Sequence, residues 1–415
     1  MNAGTPPPDR GPGPDLPLAG RRVVEMGQLI AGPFCGQILG DFGAEIIKVE
    51  DPRRGDPMRG WGPAAADGGS SLWWPIIGRN KKSVTLDLRT AAGQDVARRL
   101  ISEADVLIEN FRPGTMEAWG LDYESLSAIN PGLVMVRVSG FGQSGPYSHR
   151  AGFGSIAEAM GGLRYVSGDP DRPPSRSGIS LGDELAGLTA AMGALVALLA
   201  RERDGRGQVV DCAIYESVLA FMESLVPEYV LGGFVRERSG AILPGVAPSN
   251  IYATGDGQSV LIAANADAIF GRLAQAMGSP ELATDERFRD HQARGRHQAV
   301  LDGLIDDWTR TQPSDALLDS LEHHAIPAGK IYRAEEMVSD PQFRARQSLV
   351  TVPDDHFGDF PMQNVVPRLS ETPGAVRWTG PRLGEHNDEV LQGGLGLSAA
   401  EVATAQGHTS EEAPR

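Results

Sequence analysis

Asp183 stands out by its place in the chain. In "SRSGISLGDELAGLTAAMGALVALLARERD" it follows a glycine-bearing loop and opens a long apolar stretch. The ordinary use of an acid there is as a helix N-cap, with its oxygen accepting an orphan backbone N–H. Taken alone, that reading is the favoured one. Two features point past it. Ala186 occupies the position where a capping box would place Glu or Gln. Gly178 and Gly182 leave the approach bare of side chains, so a bulky ligand can come close. A carboxylate so placed suits nucleophilic attack on an acyl carbon, and a helix N-terminus favours the charged form that attack requires.

Other groups are weaker signals. Gly27, Gly32 and Gly36 lie in "GQLIAGPFCGQILG" after a strand, but they miss the G-x-G-x-x-G spacing that seats a pyrophosphate. A nicotinamide cofactor is therefore not expected. Basic residues gather at Arg53–Arg54 and in "GRNKK", with Arg89, Arg112 and Arg150 scattered at strand ends. They are either solvated turns or phosphate contacts for an anionic cofactor. "ENFRPG" ends a strand, where open α/β sheets bind ligands. Trp61 in "RGDPMRGWGP" is either a lid over a ligand or a loop anchor. No histidine spacing suits a metal, and no G-x-S-x-G elbow supports a serine hydrolase.

The elements that must position these groups follow from composition and pattern. At 415 residues two or three domains are expected. A net charge of −16 argues against nucleic-acid or anionic-membrane partners. Two cysteines, both in apolar runs, read as buried thiols. The apolar segment Leu185–Ala200 falls short of a membrane span, and no signal core precedes residue 20, so a cytoplasmic protein is expected. "RRVVEM", "AEIIKVE", "SVTLDL", "ADVLIEN", "LVMVRVSGFG" and "QVVDCAI" read as strands. Helices such as "AAGQDVARRLISEA" alternate with them, which predicts an α/β fold with a Rossmann-like parallel sheet. The expected boundaries are a disordered leader at 1–17, a large domain at 18–230 and a linker at 231–249. A smaller α+β domain is expected at 250–328, opening with a hairpin that turns at Asp256–Gly257. A return segment at 329–395 and a flexible tail at 396–415 complete the chain.

From about Leu18 to Leu391 these pieces, in order, resemble the class III coenzyme A transferases of the formyl-CoA and carnitine-CoA type. The motifs are "AGPFCGQILGDFGAEIIKVE", "GDPMRGW", "NKKSVTLDL", "ENFRPG", "RAGFGSIAEAMGGL", "SLGDELAGL" and "LGEHNDEVL". The resemblance implies that Asp183 is the nucleophile and that Gly182 adjoins it. It implies CoA contacts at the Ile30 and Ala31 backbone, at Leu86 to Arg89, and at Asn110, Phe111 and Arg112, with Arg150 as a further phosphate partner. Trp61 matches a tryptophan gating the acyl site. An interlocked homodimer is implied as well, with acyl-CoA and a small carboxylic acid as substrates and neither metal nor permanently bound cofactor. Succinyl-CoA is the first donor to expect.

Two departures narrow the activity. The region "ILPGVAPSNIYATGDG" lacks the consecutive glycines of the formyl-CoA enzymes, which counts against oxalate and formate. Phe153 and Gly154 stand where the racemase branch carries histidine and aspartate. An acyl-CoA racemase or isomerase would then lack one of its two acid/base groups, and it remains the alternative.

Overall fold

The structure, a computed structural model, describes residues 16–64 and 71–408. The expected leader falls outside these residues apart from its last two positions, as does the tail beyond 408. The chain divides into two compact units. One holds the described residues up to Leu163, Ser177–Glu223 and the described residues from Arg344 onward. The other holds Arg164–Arg176 and Ser224–Phe343.

The first unit is built on six strands: β1 (Arg22–Glu25), β2 (Glu45–Glu50), β3 (Lys81–Thr85), β4 (Val106–Glu109), β5 (Val134–Ser139) and β6 (Val209–Ala213). They pair in parallel in the order β3-β2-β1-β4-β5-β6, the doubly wound arrangement expected from the alternating pattern. Four helices matter for the site: α1 (Ala31–Asp41), α2 (Ala91–Ser102), α3 (Gly154–Met160) and α4 (Leu181–Asp204). Because side chains alternate along a strand, Val23, Ile46, Val106 and Val136 pack on one face with α1 and α4. Val24, Ile47, Val84 and Leu107 pack on the other, with Val96, Leu100 and Ile101 of α2. Both faces are covered, which is why these strands read as continuous apolar runs.

Several expectations need correction. The third strand begins at Lys81, not Ser83, and stops at Thr85, with Leu86–Leu88 leaving the ladder. Helix α4 has 24 residues, so by length and composition it is sufficient to cross a membrane, although its apolar segment alone is shorter. Its Ala186, Ala190, Ala194 and Ala197 are spent on the core instead. Residues 396–408 do not form a loose tail. Leu397 and Val402 are buried, Ser398 and Glu401 form a capping box on the helix Ala399–Ala405, and Asp87 donates its N–H to the Ala405 carbonyl at 2.8 Å.

Strand β3 is a sheet edge, and the segment around "LGEHND" closes it. The Ser83 N–H donates to His386 Nδ1 at 3.2 Å, and the His386 N–H returns to the Ser83 carbonyl at 2.9 Å. The Thr85 N–H donates to Asn387 Oδ1 at 2.9 Å. A polar strap of this kind satisfies the edge and blocks pairing with another chain.

In the second unit β7 (Ser249–Ala253) and β8 (Ser259–Ala263) form the antiparallel hairpin expected around Asp256–Gly257, with Gly257 at φ 77°. Helices over Asp267–Ala276, Gln298–Thr309 and Ser314–His323 cover it around Phe270, Leu301 and Leu317. β9 (Ala328–Lys330) pairs with β8, so this segment stays in the smaller unit and the chain rejoins the first unit only at Arg344. There β10 (Leu349–Asp354) and β11 (Gly358–Gln363) make a second hairpin. β11 was not anticipated, because Pro361 disguises it.

Inside the large sheet lies a group of charges with no access to water. Glu25, Lys48 and Lys81 are each 0% exposed and Asp56 2%. Lys48 Nζ donates to Glu25 Oε1 at 2.9 Å and to the Gly27 carbonyl at 2.8 Å, and is ion-paired with Asp56 Oδ2 at 2.8 Å. Lys81 Nζ meets Glu25 Oε2 at 2.8 Å and the Pro33 carbonyl at 2.6 Å. Burial works against both ammonium groups. For Lys48 the carboxylates of Asp56, Glu25 and Glu50 outweigh it and hold the pKa above the ordinary value. For Lys81 burial and the repulsion of Lys48 prevail over Glu25, and the pKa falls below it. Helix α1 sits close over this group because Gly36 has no Cβ; one there would lie 1.9 Å from Glu25 Oε2.

Removing one partner of a buried pair strands the other charge, at a cost of about 3–5 kcal/mol. Glu25→Gln is therefore expected to lower the urea midpoint sharply, and adding Lys81→Met should recover part of the loss. An unchanged midpoint in Glu25→Gln would show the pair to be idle.

Candidate functional site

The strand order reverses between β1 and β4, and at such a point open α/β sheets bind ligands in a crevice at the carboxyl edge. The loop after β1 runs from Gly27 to Ile30, and each of its first three residues is held by a side chain. Lys48 donates to the Gly27 carbonyl. Asn110, just beyond β4, accepts the Gln28 N–H and donates to the Gln28 carbonyl, both at 2.8 Å. Asp56 accepts the Leu29 N–H at 3.1 Å. Leu29 has φ 64°, a left-handed conformation disfavoured for a residue with a side chain. Ile30 and Ala31, at the start of α1, come directly after it.

Asp183 is not the cap of α4. Ser180 holds that position and Asp183 is the third helical residue, in the first turn. Two glycines bring this turn to the crevice. Gly187, one turn along, lies so close to α1 that a Cβ there would be 2.7 Å from the Ala31 carbonyl and 2.9 Å from the Phe34 side chain. Gly154, which opens α3, lies against the Asp183 carboxylate itself: a Cβ there would be 2.3 Å from Oδ2. Beside it Glu158, 1% exposed, accepts the Gly182 N–H at 3.1 Å. The Gly182 N–H is thus committed to Glu158 and is not available to an oxyanion. The Glu184 N–H is likewise used, bonded to the Ser180 carbonyl at 3.0 Å.

Next to this junction is a cavity of about 450 Å³ lined by Ile30, Phe34, Met58, Trp73, Ile179 and Glu184, among others. Burial pushes the Glu184 carboxyl above the usual carboxylate range. The walls are largely apolar, which suits an acyl chain and discourages water.

The structure thus brings Asp183, Gly182, Ile30 and Ala31 together, with Asn110 behind the loop that carries Ile30. The remaining expected residues have the following surroundings. The Leu86 side chain is core at 1% exposure and its N–H donates to the Glu50 carbonyl, so it can offer a ligand only its carbonyl. The Asn110 amide is consumed by Gln28, which makes it a support of the loop. Arg89 pairs through Nε with Asp87 at 2.7 Å and through Nη2 with Asp51 at 2.9 Å, with its side chain 54% exposed. Those bonds raise its pKa, the one to Asp87 most. Phe111 packs edge-on against Trp119 at 5.1 Å, and Arg112 is exposed. The Arg150 guanidinium stacks on Tyr147 at 3.7 Å. Trp61 is 50% exposed and follows the turn Pro57–Gly60.

Sequence reasoning missed Glu158, Gly187, Lys48 and Asp56. A lone acid in "GSIAEAMG" and a lysine inside "EIIKVE" are the signals that were there to find: each is a charge in a run otherwise fit for a core.

Comparison with known proteins agrees with this geometry. The model of CoA-transferase family III matches residues 18–387. A succinyl-CoA–D-citramalate CoA-transferase of Chloroflexus aurantiacus is 61% identical over 95% of this chain and 98% of its own. A succinate–glutarate CoA-transferase of Agrobacterium fabrum is 36% identical over 90% of this chain and 95% of its own. The crystal structure of a CaiB/BaiF family protein from Brucella suis superposes with a TM-score of 0.81 at 37% identity, covering 91% of this chain and 99% of that one. With a doubly wound sheet, an aspartate at the junction of two helix starts and a family match across nearly its whole length, this chain belongs to CoA-transferase family III and is a CoA-transferase.

Proposed function

We propose that the protein moves CoA from succinyl-CoA to a small dicarboxylic acid by a covalent relay through Asp183. The observation that carries this reading is the placement of the Asp183 carboxylate against a side-chain-free Gly154, beside the Ile30–Ala31 start of α1. The names of the relatives support the substrates: one uses D-citramalate and another L-malate as the acceptor from succinyl-CoA.

In the relay Asp183 attacks the thioester carbonyl; the C–S bond breaks and leaves a mixed anhydride and CoA thiolate. The thiolate, held by its nucleotide end, attacks the aspartyl carbonyl and expels succinate, leaving an aspartyl-CoA thioester. The acceptor carboxylate attacks that thioester, re-forming an anhydride and freeing the thiolate. Attack of the thiolate on the acceptor's acyl carbon delivers the new acyl-CoA and restores the Asp183 carboxylate. Every intermediate is activated, so little free energy is lost between steps. Anhydrides hydrolyse, and the apolar lining beside α4 favours the transfer by limiting water.

The alternative, a racemase or isomerase, needs a second acid/base group near Asp183. At position 154 any side chain would enter the space of the Asp183 carboxylate, and Phe153 next to it carries no titratable group.

We also infer that two chains assemble. Leu188, Met192, Leu195, Val196 and Leu199 of α4 are 41–67% exposed at helical spacing, an apolar stripe that water solvates poorly. Light scattering of the purified protein is expected to give twice the chain mass; a monomer at micromolar concentration would exclude the assembly.

Asp183→Ala should abolish transfer between succinyl-CoA and citramalate or malate while CoA still binds. Hydroxylamine added during turnover should mark residue 183 by mass spectrometry; a mark elsewhere reassigns the nucleophile. Gly154→Ala forces the carboxylate aside. A displacement near 1 Å costs about 10²-fold in rate, so kcat should fall by about that factor with the unfolding midpoint nearly unchanged. Full activity in Gly154→Ala would show the close contact to be unimportant.

A further inference from the structure

We propose that Asp56 is a positioning residue for CoA binding: one of its carboxylate oxygens holds Leu29 in the left-handed conformation that presents the Ile30–Ala31 backbone. The proposal rests on the reading that CoA lies along that backbone.

Asp56 is 2% exposed, so it does not touch substrate itself. Its Oδ1 accepts two backbone protons, from Leu29 at 3.1 Å and from Met58 at 2.9 Å. Its Oδ2 is paired with Lys48 at 2.8 Å, and its own N–H donates to Glu50 Oε1 at 2.9 Å. One oxygen therefore ties two chain segments: the loop that leads into α1 and the turn Pro57–Gly60 that leads to Trp61. Leu29 needs such a hold. At φ 64° its Cβ crowds the following carbonyl, and a residue other than glycine leaves this region unless its surroundings forbid it. Lys48 fixes the residue two before it, Asn110 the one before it, and Met58 and Trp74 pack beside its side chain. Among the described residues it is Asp56 that holds the Leu29 N–H. Without that bond Leu29 is free to relax to negative φ, which rotates the peptide into Ile30 and moves the first donors of α1.

The test measures CoA affinity by titration calorimetry, which does not depend on the relay, together with KM and kcat for succinyl-CoA. Asp56→Ala is expected to weaken CoA binding about tenfold or more, the scale of a left-handed residue's conformational penalty. Asp56→Asn keeps an acceptor oxygen for both N–H groups but turns an NH2 toward Lys48 Nζ, so it should lower the unfolding midpoint while retaining more CoA affinity than Asp56→Ala. Adding Leu29→Gly to Asp56→Ala should restore most of the affinity, because glycine takes positive φ freely. A purely structural Asp56 would lower the unfolding midpoint and leave CoA affinity alone, and Leu29→Gly would restore nothing; either result overturns the proposal. Should Asp56→Ala fail to fold, Leu29→Val in the otherwise unchanged protein decides. A β-branched residue resists positive φ, so CoA should bind about tenfold more weakly; wild-type affinity overturns the proposal. If the wild-type protein itself binds no CoA, the functional reading falls before any variant is made, and this role falls with it.

Discussion

An ammonium group carried into the middle of a parallel sheet has to find an acceptor for each of its protons and a counter-charge for itself. Lys48 donates to Glu25 and to the Gly27 carbonyl and takes Asp56 as a second counter-charge, and the loop beyond β1 is arranged around these contacts. Glu25 comes from β1, Lys48 from β2 and Lys81 from β3, so the charges link three adjacent strands through side chains as well as through the ladder. Two negative and two positive groups balance within this group, so the burial of each is tolerable. A hydrophobic cluster of the same volume would fill the space, but it would not fix the loop beyond β1 in one conformation.

From that anchor the site is assembled by close approaches. Gly36 lets α1 lie on Glu25, Gly187 lets α4 lie on the first turn of α1, and Gly154 lets α3 lie on Asp183. At each contact the nearest atom is polar: Glu25 Oε2, the Ala31 carbonyl oxygen and Asp183 Oδ2, with the Phe34 side chain also against Gly187. Such contacts transmit position well, since neither side has a flexible chain to absorb a shift. Asp183 is thereby referenced to the sheet through two helices, and the loop ahead of α1 through Asn110 and Asp56. The crevice at the strand-order reversal supplies the opening between them.

The strands and helices of the large sheet were legible because both periodicities were strong: β-branched runs such as "EIIKVE" and the helical spacing of Val96, Leu100 and Ile101. Asp183 was legible as well, as an acid between glycines and an apolar helix. Its exact station was not, since the cap fell on Ser180 through backbone geometry that side-chain pattern does not report. Arg89 and Asn110 were expected as ligand contacts through the resemblance, and the sequence does not report what they hold within the protein. Their partners, Asp51, Asp87 and Gln28, are chosen by which loops meet in space. Strand β11 was hidden by Pro361, and the closure of β3 by His386 and Asn387 joins positions some 300 residues apart.

The sequence by itself determined the alternation of strand and helix, the candidate nucleophile and the absence of a dinucleotide fingerprint, because each of these is written in neighbouring residues. Only the tertiary structure decided that Gly154 faces the Asp183 carboxylate, that Gly182 is already bonded to Glu158, and that a buried lysine holds the loop ahead of α1. These are contacts between separate segments of the chain, and those at Gly154 and Gly182 are set by how closely helices approach where glycine has no Cβ. No local pattern of residues encodes that distance.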